Sequence, residues 1–517
     1  MVHESTKTVS LGVSGVTFTD VIEVARHHAK VVITPDALAA IAKTRKYIDE
    51  YAAGGVPVYG VSTGFGALAN RHIDVKDRTQ LQKSLIRSHA AGVGPAVEDE
   101  VVRALMFLRL RTMTSGRTGV RVEVAQIYAD FLNAGITPIV PEFGSLGCSG
   151  DLAPLSHCAL AMMGEGRVRD AAGKEMASLD AMKTAGITPI ELEAKEGLAL
   201  INGTDGMLGM LIMACADLYQ LCTVSDITAA MSIEGLLGTD RVFAPELHAP
   251  LRPQLGQAVS AANIYAMLRN SGIVASHLEN DSRVQDAYSL RCAPQVAGAV
   301  RDTVDYASTI AARELQSSID NPVVLPDGRV ESNGNFHGAP VAYVLDFLAI
   351  AAADLGSISE RRTDRMLDQH RSVGLPPFLA NDPGVDSGLM IAQYTQAGLV
   401  SENKRLATPA SVDSIPSSGM QEDHVSMGWS AARKLRKVVE NLSRILAIEL
   451  VTAARAIEFR KEFSPAPATA SVIKELRKVV GGIGPDRFLS PELEAAVKLV
   501  QSGKVVAAAK EVVTALQ

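Results

Sequence analysis

Hydrophobic positions recur at helical spacing through most of the chain beyond its first hundred residues. Val341, Leu345, Leu348, Ala352 and Leu355 follow one another at steps of four and three, as do Ala431, Leu435, Val438, Leu442 and Ile445. A third run, Val300, Val304, Ala307 and Ala311, keeps the same step. It is predicted to stop at Asn321-Pro322, where proline cannot extend a helix. These seams are rich in alanine, so the helices they predict can approach closely, as in a bundle. Strand-like alternation is short and weak, as around Val56–Val61. The pattern predicts a mostly α fold with long helices and disfavours an all-β or doubly wound architecture.

Glycine and proline interrupt the helical pattern at 59–69, 141–154 and 374–388, and chemistry concentrates in such loops. A stretch near Phe463 (FSPAPAT) separates the long helices from a short, Lys-rich amphipathic tail. The apolar run Gly206–Ala216 is followed at once by Asp217. It is too short to cross a bilayer and reads as a buried helix.

Composition narrows the classes. The 517 residues suffice for about three domains, and a hydrophobic content of 47% can fill a large core. Lys and Arg number 50 against 57 Asp and Glu, a net charge of −7 that does not suit nucleic acid as the main partner. Aromatics make up only 4%, which disfavours a stacking platform for bases or sugars. The five cysteines are sparse and form no Cys-x-x-Cys pair, against a secreted disulfide scaffold or a zinc ribbon. The start MVHESTKTVSLG has no apolar run behind a basic segment. No secretory leader or membrane association is expected, and the cytoplasm is the expected location.

The most informative loop is Gly144–Asp151, GSLGCSGD. Its plain reading is a flexible connection ending in Asp151 as the N-cap of a helix bearing Leu155, Leu160 and Met163. A nucleophile elbow is ruled out because Asp151 stands two residues beyond Ser149 where glycine is required, and a phosphate loop because no lysine is present. A further reading uses the backbone. The amide nitrogen of Gly150 can attack the carbonyl carbon of Cys148, since glycine leaves that nitrogen unshielded and the chain free to turn tightly. Loss of the ring's water and of the Ser149 hydroxyl leaves an exocyclic methylene on an imidazolone, a strong electrophile.

GSLGCSGDLAPLSH (144–157) resembles the hallmark of the aromatic amino-acid ammonia-lyases, which form 4-methylidene-imidazole-5-one from an internal Ala-Ser-Gly or, less often, Cys-Ser-Gly. Cys148 replaces the commoner alanine, but its side chain lies outside the ring-forming atoms. Further motifs follow in family order over nearly the whole chain. The resemblance implies that Tyr59, in VYGVSTGFGALA, is the catalytic base, a role that requires positive neighbours to lower its pKa from about 10. It implies that Asn202, in LALINGT, hydrogen-bonds the prosthetic group. Gln285, Tyr288 and Arg291, in VQDAYSLRCAPQ, serve the substrate carboxylate, with the Arg291 guanidinium as a two-donor clamp. Phe336, in NGNFHG, packs beside the electrophile, while Asn335 and His337 order that loop. His89, in SHAAG, faces the substrate ring.

The substrate rests on fewer residues. Glu422, in MQEDHVSM, matches the histidine-specific branch, where phenylalanine enzymes tend to carry Gln. A carboxylate can pair with an imidazole, whereas beside a benzene ring it is a desolvation cost. Met390, in DSGLMIAQ, resembles another pocket residue of that branch. Glu422, Asp423 and His424 point in different directions on a helix and are not read as a metal site. The resemblance implies two regions, an N-terminal loop-rich domain (1–203) carrying the prosthetic group and a long-helix domain (204–517) for oligomerisation and substrate binding. It also implies a homotetramer with shared active sites, a small amino-acid substrate and no external cofactor. A phenylalanine or tyrosine ammonia-lyase, an aminomutase with the same electrophile, and a non-catalytic helical scaffold remain open alternatives.

Overall fold

The computed structural model describes every residue except 1–6, 55–57, 65, 69–70, 72, 280 and 282. Helices dominate, and the three predicted seams lie on Ala293–Glu314, Ala339–Leu367 and Gly428–Glu458. All fourteen seam residues are buried, none more than 2% exposed. Their spacing therefore marks the faces that turn inward.

The helix Ala293–Glu314 ends well before Pro322. Buried arginines account for the early stop. Arg111 donates to the carbonyls of Gln316 and Ser317, and Arg109 to that of Ile319 at 2.7 Å, so these carbonyls serve guanidinium groups instead of a helical ladder. Between Val56 and Val61 the expected alternation falls partly outside the described residues. From Val58 the chain turns, with the amides of Val61 and Ser62 both donating to the Val58 carbonyl.

The apolar run Gly206–Ala216 belongs to a much longer helix than expected, Asp205–Gly235, of 31 residues. That helix and Ala339–Leu367 are long and apolar enough to cross a membrane, yet 78% and 61% of their apolar windows are packed inside the protein. Beyond Phe463 the expected single tail helix is resolved into Pro467–Leu476, Ser490–Gln501 and Lys504–Lys510.

The chain divides into two compact units. The first comprises Met1–Met213, Ser308–Asp346 and Pro409–Arg433; the second comprises Ala214–Ala307, Phe347–Thr408 and Lys434–Gln517. This interleaving differs from the single boundary expected at 203/204. The reason is that the division falls within four long helices, so neither unit is one continuous stretch. The first unit holds the small sheets, including the parallel pair Thr8–Leu11 and Lys30–Ile33 joined through the helix Phe18–Arg26. In the second, fully buried Glu449 accepts hydrogen bonds from Thr228, Ser232, Ser359 and Arg362. A buried carboxylate is tolerable only when its acceptor sites are filled in this way.

Candidate active site

The Cys148-Ser149-Gly150 loop is held by groups that follow it. Asp151 stands at the N-cap position of the helix Leu152–Met162, but its side chain makes no cap bond there. Its carboxylate accepts the Ser145 hydroxyl at 3.0 Å and the Met207 amide at 2.9 Å. Met207 lies in the first turn of Asp205–Gly235, so Asp151 caps that helix and ties the loop to it. Complete burial pushes the Asp151 carboxyl up to about 7, opposed by these donors. The Asp151 amide donates to the Gly203 carbonyl at 2.8 Å. Gly150 lies against the same backbone with φ of 78°, and a Cβ on it would sit 2.0 Å from the Gly203 oxygen. Only glycine fits there. Gly150→Ala is therefore expected to lower stability by about 2 kcal/mol or more and to prevent loop cyclisation, checked by thermal denaturation and intact mass.

A cavity of about 580 Å³ opens beside this loop. Its walls include Tyr59, His89, Ser149, Asn202 and Glu422. Five of the sequence-predicted residues, from four separate stretches of chain and the loop itself, thus converge in the first unit. Cys148 and Gly150 flank Ser149 in the loop. Asn202 is anchored from both ends, its carbonyl by Arg109 and its side-chain amide by donation to the Asn321 carbonyl at 2.8 Å.

The tyrosine differs from expectation. Burial raises the Tyr59 pKa, the Gly66 amide donating to its hydroxyl at 3.3 Å lowers it, and the Glu422 carboxylate raises it again. The net shift is upward, because the acidic neighbour is an anion and among the described residues no cation offsets desolvation. Burial likewise lowers the His89 pKa, which keeps the imidazole neutral, and Ser88 contacts its Nδ1 at 3.1 Å. The Cys148 thiol is pushed up to about 12, first by burial and then by the Glu422 carboxylate, so it stays protonated.

Phe336 is half-buried and is not among the residues lining this cavity. Its neighbours do order their loop: the Asn335 amide donates to Asn333 Oδ1 at 2.9 Å, and His337 Nε2 meets the His424 carbonyl at 3.2 Å. Gln285, Tyr288, Arg291 and Met390 all belong to the second unit. There the Arg291 guanidinium lies 4.5 Å over the Tyr288 ring and donates to the Asp286 carbonyl. Tyr288 is 72% exposed. Gln285 and Met390 line two other cavities. Among the described residues no group of three or more His, Cys, Asp and Glu is arranged to hold a metal ion.

Sequence reasoning missed the second role of Asp151, the cavity residues Arg71 and Ser88, and Ser417, whose hydroxyl donates to Glu422. The only signal for Asp151 was its position next to the loop.

Comparison with known proteins agrees with the helical architecture. A family profile described as aromatic amino acid lyase matches residues 16–478. The histidine ammonia-lyase of Streptomyces avermitilis is 66% identical over 98% of this chain and 99% of its own length. Among solved structures, a tyrosine aminomutase from Streptomyces globisporus superposes with a TM-score of 0.91 at 38% identity, covering 97% of this chain and 98% of that one. The histidine ammonia-lyase of Trypanosoma cruzi gives 0.89 at 38% identity, covering 98% and 95%. A helical chain matched over nearly its whole length, with the Cys-Ser-Gly loop, tyrosine and glutamate gathered on one cavity, belongs to the aromatic amino acid lyase family.

Proposed function

We propose that this carbon–nitrogen lyase eliminates ammonia from L-histidine to give trans-urocanate. The observation that carries the reading is the presence of Glu422 on the same cavity as Ser149 and Tyr59, in a chain two-thirds identical to a relative of that activity. The aminomutase alternative rests on a more distant likeness, at 38% identity.

Cys148, Ser149 and Gly150 would form the methylidene-imidazolone. Support comes from Gly150, whose φ and lack of space exclude any side chain on the attacking residue, and from Ser149, which borders the cavity. When formed, the group supplies an electrophile toward which the substrate's nitrogen or ring is directed. The rest is the work of ordinary side chains. Tyr59 removes the β-proton, and Glu422 accepts a hydrogen bond from the imidazole. Asn202, next to the Gly203 that bridges Gly150, would hydrogen-bond the group, while His89 borders the ring. The helix Leu152–Met162 begins two residues beyond Gly150, so its positive end favours negative charge developing beside the loop.

Arg291 would clamp the carboxylate, with Gln285 and Tyr288 beside it, Phe336 near the electrophile and Met390 in the ring pocket. We infer that residues of the second unit complete the site of another subunit in a homotetramer. Support is the exposure of this segment in the single chain, 72% at Tyr288 and 100% at Val284, which leaves both available for burial by another copy. The working location is the cytoplasm.

Glu422→Gln tests the substrate. It keeps the shape but removes the charge, so kcat/KM for L-histidine is expected to fall about 10²-fold while the prosthetic group's ultraviolet absorbance is retained. Unchanged histidine turnover in a steady-state assay would remove the argument for an imidazole substrate.

A further inference from the structure

Glu422 is held by an unusual piece of backbone. Ser417 and Glu422 form an antiparallel bridge, with the Ser417 amide donating to the Glu422 carbonyl at 2.9 Å and the Glu422 amide returning a bond at 3.3 Å. Between them, Ser418, Gly419 and Met420 take φ values of 50°, 61° and 70°. Three successive left-handed residues, two of them not glycine, are a strained conformation that persists only where its surroundings enforce it, and such strain gathers at functional sites. The turn also meets the tyrosine loop, since a Cβ on Gly66 would lie 2.6 Å from Ser418 Oγ. Across the mouth of the turn, Ser417 Oγ donates to Glu422 Oε2 at 2.9 Å.

We propose that Ser417 is a positioning residue that fixes the Glu422 carboxylate for imidazole recognition. The proposal rests on the role assigned to Glu422 above. A carboxylate has two oxygens and several rotamers, and an unrestrained one must be ordered each time substrate binds. With Oε2 engaged by Ser417 and the Cys148 thiol also hydrogen-bonded to the carboxylate, the side chain is oriented in advance to meet a ring N–H. The hydroxyl acts on binding of the ring, not on proton removal at the β-carbon. Its loss should therefore appear in recognition of imidazole compounds and not in those with a benzene ring.

The test compares Ser417→Thr with Ser417→Val, which have nearly the same shape and differ in the hydroxyl, alongside Ser417→Ala and Glu422→Gln. Ser417→Val and Ser417→Ala are expected to raise the KM for L-histidine and the inhibition constant of trans-urocanate roughly tenfold. Inhibition by trans-cinnamate, the prosthetic group's absorbance and kcat should change by less than about twofold, and Ser417→Thr should restore wild-type values. Equal losses for urocanate and cinnamate would mean a structural role and overturn the proposal. So would wild-type urocanate binding in Ser417→Val when Glu422→Gln is impaired, an outcome that leaves the Glu422 reading standing. If Glu422→Gln also binds urocanate normally, the reading of Glu422 falls and the role of Ser417 falls with it.

Discussion

Ser149→Ala is expected to abolish ammonia release, by about 10³-fold or more, while leaving the protein folded. The size of the effect follows from what the hydroxyl is for. An amine is a poor leaving group and a β-proton is barely acidic, and no ordinary side chain offers the electrophile needed to overcome both. On the proposed mechanism the hydroxyl is lost in forming that electrophile, so its removal would stop the chemistry at its origin and not at one step. The structural cost is small by contrast. Ser149 is half-buried and its side chain has no hydrogen-bond partner among the described residues. The loop is instead secured by Asp151, Ser145 and Gly203. The melting temperature should stay within about 2 °C of wild type. Intact mass gives the decisive comparison: wild-type chain lighter than its sequence by two waters, the variant not. Near-normal turnover by a well-folded variant of full sequence mass would refute the electrophile.

Tyr59→Phe is expected to separate formation of the prosthetic group from its use. The absorbance should remain, because Tyr59 takes no part in the loop's own bonds, while elimination falls by about 10³-fold. The pH dependence adds a sharper readout. Burial and the Glu422 carboxylate hold the phenol above its ordinary pKa, so at neutral pH the base form is scarce and increases with each unit of alkalinity. For wild type, kcat/KM should thus rise with pH through neutrality, with a logarithmic slope near +1. The residual activity of Tyr59→Phe should lack that limb. A wild-type profile flat from neutral to alkaline pH would show that the phenol is already ionised at neutral pH and would overturn this reading.

How much could be read without coordinates is clearest at particular residues. The seams on Ala339–Leu367 and Gly428–Glu458 were legible because a helix repeats every 3.6 residues and burial follows that period. The end of Ala293–Glu314 was not, because the decisive groups, Arg109 and Arg111, lie two hundred residues away in sequence. Asp151 looked like an ordinary N-cap, and in the fold it caps a different helix. Ser417 carried no local signal at all, since its significance depends on a turn whose left-handed residues are not all glycine.

The sequence by itself determined the helical architecture and the chemical inventory. Both are local properties, set by the period of apolar residues and by the adjacency of Cys148, Ser149 and Gly150. Only the tertiary structure decided which residues share a cavity, how Glu422 is oriented and in which direction the Tyr59 phenol is shifted. Those depend on desolvation and on charges brought within a few ångströms by distant parts of the chain, and neither distance nor burial is written in the order of residues.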